Sequence, residues 1–339
     1  MSRVYLDHNA TTPLRPEARQ AMAAAMEVVG NPSSVHAEGR AAKGLVERAR
    51  AQVAAAMGCK PQEVVFTSGA TEAARVLADF GSVDVDPSAH DALWSYASDA
   101  PSEAGQLRAI GAANGETGVV ADLPAEGRLL IDASQAIGRV PFAFEWSGAD
   151  FAICSAHKLG GPKGVGALIV RQGVDIPALA TGGGQEMGRR SGTENVIGIA
   201  GFGAAAEAAM RDLDSGVWAR VEKLRNILEN VIAAASKETI FVGKGGARLP
   251  NTSCFITPGW KGETQVMAMD LEGFAISAGS ACSSGKVKAS RVLRAMGYSE
   301  VEAASAIRVS LGPDTAEDEI RRFADAWAKR YTKHCARSA

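Results

Sequence analysis

Long apolar runs are missing from this 339-residue sequence; its most hydrophobic stretches are alanine-rich and broken by charges, so no transmembrane span is visible. An excess of either charge is missing as well. Lys and Arg number 36 against 38 Asp and Glu, a formal net charge of −2, which offers no surface for nucleic acid or for an anionic membrane. Cysteine is scarce. Cys59, Cys154, Cys254, Cys282 and Cys335 are an odd, scattered set without CxxC spacing, which argues against disulfides and for a reduced, cytoplasmic setting. Neither an apolar signal region nor an Arg-rich presequence opens the chain, because "MSRVYLDHNATT" enters strand-like sequence at once. Repeats and low-complexity tracts are also absent. What remains is an ordinary globular composition, 46% apolar and 22% charged, at a length that suits two domains or one large domain with an appended lobe.

The order of elements sharpens this. "PEARQAMAAAME" starts a helix at Pro16, "GNPSSVHAEGR" is loop-like, and "RAAKGLVERARAQVAAAMG" reads as a long helix closed by Gly58. "EVVFTSGATEAARVLADF" reads as a strand, a glycine turn and a helix. Strands follow at 107–113, 128–134, 150–156 and 166–171, the later ones near-continuous apolar runs of the kind covered on both faces. Helices at 199–214 and 217–236, the strands "NTSCFITP" and "AIRVSLG", and a terminal helix from about Thr315 complete the chain. Strand–helix alternation up to residue 171 predicts an α/β protein with a mostly parallel sheet in a large domain, 16–215. Residues 1–15 and 216–339 are expected to form a small α+β domain.

In open α/β sheets, ligands sit at the carboxyl ends of strands, and three such ends carry polar residues here. "TSGATE" (67–72) offers the backbone N–H groups around Ala70 and the Thr71 hydroxyl as a phosphate cradle; taken alone it reads rather as a plain β–α turn capped by Thr71. Asp132 follows "LLI" at a strand end, where a carboxylate usually needs a cationic partner: the plain reading is a helix cap or a structural ion pair, the sharper one a protonated ring nitrogen. Lys158, in "SAHKLGGPKG", stands in the sheet mouth beside Ser155 and His157. Desolvation there lowers an amine pKa and suits it to Schiff-base chemistry, whereas Lys163 in the following turn reads as solvated. A phosphate cradle, an Asp for a ring nitrogen and a Schiff-base Lys together are what pyridoxal 5'-phosphate (PLP) requires.

The runs "YLDHNATTP", "GNPSSVHAEGRAA", "VVFTSGATEA", "IDASQAIGRVP", "CSAHKLGGPKGVGAL", "GGGQEMGRRSGTENV", "RLPNTS", "SAGSACSSGKVKAS" and "AIRVSLG" span nearly the whole chain. In type and order they resemble cysteine desulfurases of the NifS/IscS type, within the class V aminotransferase family of fold-type I PLP enzymes. The resemblance implies that Lys158 binds PLP as a Schiff base, that Asp132 pairs with the ring nitrogen and that Gln135 bonds the ring hydroxyl. Ala70, Thr71, Ser155 and His157 would hold the phosphate. Thr193 would reach the phosphate of the neighbouring subunit in a homodimer, and His90 would stack on the ring and move protons with Lys158. Arg308 would clamp the substrate carboxylate, a bidentate task suited to guanidinium, and Asn31 would line the substrate pocket. Cys282 would act as a thiolate on the sulfur of L-cysteine, releasing alanine and carrying a persulfide to an acceptor such as an iron–sulfur scaffold. The small-residue stretch 277–290 around it is expected to be mobile.

Three departures stand out. The chain is short between about 73 and 131, where the strand and helix after His90 look largely lost and the helix before "LLIDAS" shrinks to "LPAEG". Gly115 occupies the place of a cofactor-contacting Asn in "NGETG", leaving Asn114 as the substitute, and "TEAAR" lacks an Asn pair. A selenocysteine lyase, another class V lyase and a non-catalytic scaffold are the competing readings; retention of Cys282 favours sulfur transfer, because direct elimination needs no nucleophilic thiol.

Overall fold

The computed structural model describes residues 3–98, 106–124, 127–279 and 289–338. Cys282 and most of the 277–290 stretch lie outside the described residues. Among the described residues no helix is long and apolar enough to cross a membrane.

The chain divides into two compact units, one of Thr11–Ala113 with Ala121–Asp214 and one of Met1–Ala10, Asn114–Val120 and Ser215–Ala339. The boundaries differ from chain-order expectation in two places, each for a hydrogen-bonding reason. The arm from Thr11 onward joins the larger unit because Thr12 N–H donates to the His157 carbonyl and Arg15 N–H to that of Gly160, both at 2.9 Å. Asn114–Val120 joins the smaller unit because Leu249 N–H donates to Gly118 O at 2.7 Å and Val120 N–H to Ala247 O at 3.0 Å.

After strand β1 (Val4–Tyr5) come α1 (Pro16–Met26) and α2 (Ala37–Met57). Pro16 opens α1, where its missing N–H forfeits no helical bond. His36 caps α2 through Nδ1, and Gly58 ends it in the left-handed conformation at φ 62°. The larger sheet is built from β2 (Val64–Thr67), β3 (Val83–Val85), β4 (Leu107–Gly111), β5 (Leu129–Asp132), β6 (Phe151–Ser155) and β7 (Gly166–Val170). Their spatial order is β2-β7-β6-β5-β4-β3, with β7 alone running against the other five. Every residue of β6 and β7 is buried, as near-continuous apolar runs require.

The trimmed region still delivers an edge strand, β3. It is reached through α3 (Ala70–Ala73) and a 3-10 turn at Ala74–Asp79 rather than the longer helix the sequence predicts. Ala73, Ala74, Val76 and Leu77 are all buried in the core beside this sheet. In a 3-10 helix residues three apart eclipse, so Ala73 with Val76 and Ala74 with Leu77 face that core as aligned pairs. One further turn, α4 (Asp91–Trp94), follows β3. Helix α5 (Val196–Asp214) lies against α1 and α2 through small residues; a Cβ on Gly201 would stand 2.6 Å from Met22 Cγ, and one on Gly203 2.6 Å from Ala49 Cα.

The smaller unit contains α6 (Val217–Ala235), β8 (Ile240–Phe241), β9 (Thr252–Ile256), α7 (Gly262–Leu271), β10 (Phe274–Ala275) and β11 (Ser277–Ala278). It ends with α8 (Arg291–Ala295), α9 (Glu300–Ala304), β12 (Ala306–Ser310) and α10 (Glu317–Ser338). An antiparallel sheet runs β11-β12-β9-β8, and β1 pairs with β10. Phe255, Trp260 and Trp327 form the aromatic centre of this unit's core.

Candidate active site

The five co-directional strands of the larger sheet release their chains at one edge. Thr67, Gly166 and Ser155 stand in a row there, because the reversed β7 begins where β2 and β6 end. Gly166 is needed in that row. A Cβ on it would lie 2.6 Å from Gly69 Cα and 2.6 Å from the Cys154 carbonyl, so the turn 68–71 folds over this position only because no side chain is present. A Cβ on Gly69 would meet nothing within 4 Å except Ser155 Oγ at 3.9 Å, and no side chain caps the turn that starts at Ala70. The result is an open space on the side of Gly69 where a Cβ would point, with the Ser155 hydroxyl at its edge; Thr71 is exposed. Glu72 shapes the turn: Ser68 N–H donates to its Oε2 at 2.6 Å, and Arg190 Nε to its Oε1 at 2.9 Å. Burial pushes the Glu72 pKa up, but these donors outweigh it and hold the carboxyl below its ordinary value.

Lys158 closes a short 3-10 turn directly after β6. Thr12 Oγ1 and Arg139 Nη2 both donate to its carbonyl, at 2.9 and 2.7 Å, which fixes the backbone from which the amine extends. Lys158 is half-buried and Lys163 exposed, as their sequence surroundings predict. One strand away, Asp132 is the last residue of β5 and its Oδ1 accepts from Ser134 N–H at 2.9 Å. Gln135 follows, buried, with its Oε1 taken by Arg139 Nη1. Arg139 therefore ties the Gln135 and Lys158 positions together, four residues on from the former. Sequence reasoning missed it, although an arginine one helical turn from a candidate ligand is a readable signal.

His157 shares a contact of 3.2 Å between its Nδ1 and Thr11 Oγ1. Burial, followed by the charges of Lys158 and Lys163, lowers its pKa to about 4. The ring is therefore neutral at ordinary pH and offers one N–H donor rather than a charge. His90 is exposed beyond the end of β3, on the same sheet edge, and its Nδ1 accepts from Ala92 N–H at 3.1 Å, capping α4. His36 is a helix cap.

Thr193 is exposed at the end of a strap that begins near Gly184. Glu186 and Met187 hold left-handed conformations at φ 49° and 58°, a strain of roughly 1–2 kcal/mol per residue for non-glycine side chains. What holds the strap is a buried fork: Arg50 donates from Nη1 and Nη2 to the two Glu186 oxygens at 2.7 and 2.8 Å. Phe66 N–H of β2 adds a third bond to Glu186 at 2.8 Å. Asn31 is exposed, and its Oδ1 closes its own turn by accepting from Ser33 N–H at 2.9 Å.

In the smaller unit, Arg308 is the central residue of β12. Its Nη2 donates to Asp7 Oδ1 at 2.7 Å and its Nη1 to the Gly115 carbonyl at 3.0 Å. The Asn114 Oδ1 accepts from Glu116 N–H, Thr117 N–H and Thr117 Oγ1, so the oxygen of that carboxamide serves its own turn. Cys154 and Cys254 are fully buried core residues whose thiols burial pushes far up; Cys59 is pushed up to about 12, again by burial first. None of these three thiols is fit to act as a thiolate. Among the described residues no cluster of three or more His, Cys, Asp or Glu could hold a metal ion.

The chain is similar to known proteins over nearly its whole length. The chain matches the family "Aminotransferase class-V" over residues 4–90 and 92–323. It is 40% identical to a cysteine desulfurase of Frankia sp. (strain EuIK1), over 96% of this chain and 90% of that one. An IscS-like cysteine desulfurase of Mycobacterium tuberculosis is 32% identical, over 93% of each chain. The solved structure of a NifS-like protein from Rickettsia africae superposes with a TM-score of 0.87 at 32% identity, covering 97% of this chain and 99% of that one.

Proposed function

The chain belongs to the aminotransferase class-V family and is a PLP-dependent cysteine desulfurase, and from this premise we propose the residues and partners through which it works. The observation that carries the assignment of residues is the sheet edge of the larger unit. There the half-buried Lys158, the strand-end carboxylate of Asp132 and an open space at Gly69 beside Ser155 follow β6, β5 and β2. These groups fit the cofactor: the open space at Gly69 is one that a Cβ would enter, and the turn above it has no capping side chain.

Lys158 would hold the cofactor through Nζ, Asp132 would face its ring nitrogen, and Gln135 would bond its ring hydroxyl. The backbone at Ala70, with Thr71, Ser155 and neutral His157, would hold its phosphate. His90 would cover the ring, and Asn114 would offer its NH2 group. When bound, PLP supplies an electron sink for the substrate Cα. Arg308 would fix the carboxylate of L-cysteine, and Asn31 would line the substrate pocket. Lys158 Nζ takes and returns the Cα proton, and His90, whose Nδ1 accepts from Ala92 N–H, has an Nε2–H to give. The Cys282 thiolate attacks the substrate sulfur: an S–S bond forms, the C–S bond breaks, and its electron pair stays with the fragment that leaves as alanine. The names of the relatives favour cysteine over the selenocysteine-lyase reading.

We further propose a homodimer in which the Thr193 strap reaches the neighbouring phosphate, a protein acceptor for the sulfur such as an iron–sulfur scaffold, and work in the cytoplasm. The exposure of Thr193 on an anchored strap supports the first. The absence of disulfides among Cys59, Cys154, Cys254 and Cys335 supports the last. The test is a pair of variants. Cys282→Ser is expected to keep the visible absorption of bound PLP and release no sulfide from L-cysteine, whereas Lys158→Ala loses both. Sulfide turnover surviving in Cys282→Ser would refute the persulfide assignment.

A further inference from the structure

Arg308 is held more tightly, and more selectively, than a structural arginine needs to be. Its Nη2 is taken by Asp7 Oδ1 at 2.7 Å and its Nη1 by Gly115 O at 3.0 Å. Both acceptors are themselves fixed. Asp7 Oδ2 accepts from Ser277 Oγ at 2.9 Å. Gly115 O also accepts from Asn9 Nδ2 at 3.0 Å, and Asn9 N–H donates to Ser310 Oγ at 3.0 Å. With both terminal nitrogens tethered, the guanidinium plane cannot rotate. Its Nε–H is buried and has no hydrogen-bond partner among the described residues. A buried N–H of a cation left without an acceptor is unfavourable unless a ligand supplies one. A carboxylate oxygen on this edge of the planar fork would do so.

We infer that Asp7 is a positioning residue for the reaction: it aims the Nε edge of Arg308 at the carboxylate of the substrate. This rests on the proposed role of Arg308. Two features distinguish Asp7 from an incidental counter-ion. First, it places a negative charge beside the very group that must attract a carboxylate, so it acts against affinity by charge and for affinity by geometry. Second, its other oxygen is bound to Ser277, which pairs directly with Arg308 across β11 and β12. The arginine that reads the substrate and the strand that leads, within five residues, to Cys282 thus share one carboxylate. Gly115 completes the device, since the departure from Asn still provides a carbonyl for Nη1.

Charge and geometry separate by substitution in the holoenzyme. Asp7→Ala removes both and is expected to raise KM for L-cysteine about 10-fold or more, the worth of one charge-assisted hydrogen bond, with a smaller change in kcat. Asp7→Asn keeps an acceptor for Nη2 and is expected to restore KM to within about 3-fold of the parent, the cost of weakening one bond by half. A second reading is equilibrium binding of L-alanine, which has the carboxylate and no sulfur, followed by the change in PLP absorption; its Kd is expected to move with KM. If Asp7→Ala does not fold, Asp7→Ser, too short to reach the guanidinium, takes its place. Arg308→Ala separates the two levels of the argument. If it raises KM and Kd while the Asp7 variants leave both unchanged, or lower only kcat, Asp7 is structural and the inference falls. If Arg308→Ala itself changes neither, the role of Arg308 falls and takes the inference with it.

Discussion

Strand ends in the larger unit and strand centres in the smaller one present functional groups by different means. At the edge of the larger sheet, Thr71, Asp132, Ser155 and Lys158 stand where the backbone leaves β2, β5 and β6, and main-chain geometry places them. Glycines at 69 and 166 let chain segments approach closely there. Arg308, by contrast, lies in the middle of β12, and side chains from Asp7, Asn9 and Ser277 position it and its partners. A backbone-built site is intolerant of added volume. A side-chain-built site is intolerant of lost hydrogen-bonding groups and absorbs added volume more readily.

The largest expected effect tests a place where the larger unit departs from this rule, the strap. Glu186→Ala leaves Arg50 buried without its fork and releases Phe66 N–H, so a loss of about 3–5 kcal/mol is expected from a denaturant titration. If the strap were backbone-built like the rest of the edge, the loss would be within about 1 kcal/mol, the average for point substitutions.

Next comes the contrast in added volume. Gly166→Ala drives a Cβ against Gly69 Cα and the Cys154 carbonyl, both backbone, and is expected to cost about 1–3 kcal/mol and to weaken PLP retention on dialysis. Gly279→Ala, in the smaller unit, meets the tip of the Glu116 side chain at 2.7 Å, which can swing aside, so a cost of about 1 kcal/mol or less is expected. Equal losses in the two variants would remove the distinction between the sites.

This difference also explains what was legible in the sequence. Lys158, Asp132 and the 67–72 turn each follow an apolar run, so local pattern alone reveals both the strand and the polar residue at its end. The same logic gives the buried strands β6 and β7 and the helices α1, α2, α5 and α6. Asp7 and Arg308 are 301 residues apart, and Arg50 and Glu186 are 136 apart; neither pair has a local signature. Membership of Asn114–Val120 in the smaller unit depends on hydrogen bonds to residues near 248 and is equally invisible to periodicity. The sequence at 74–79 suits an α-helix as well, and only the core it faces selects the tighter 3-10 winding.

The smallest effect concerns a residue whose position is fixed by backbone but whose charge state is set by side chains. His157 has its pKa lowered to about 4 by burial first, then by Lys158 and Lys163. A folded-state pKa below that of the unfolded chain, about 6.5, means the unfolded state binds a proton that the native state refuses between those limits. The contribution is therefore fully present above about pH 6.5 and is lost as pH falls toward 4. In protein freed of cofactor, the denaturation midpoint is expected to fall over this range, and His157→Asn to remove that part of the slope. Lys163→Ala deletes only the weakest of the three causes, from an exposed position, so its effect at pH 7 stays within about 0.5 kcal/mol. The same variant moves the His157 titration slightly upward, measurable by NMR of the ring protons. A titration unchanged by Lys163→Ala would show that burial and Lys158 alone set this histidine, and a midpoint that rises on acidification in step with His157 would overturn the lowered pKa.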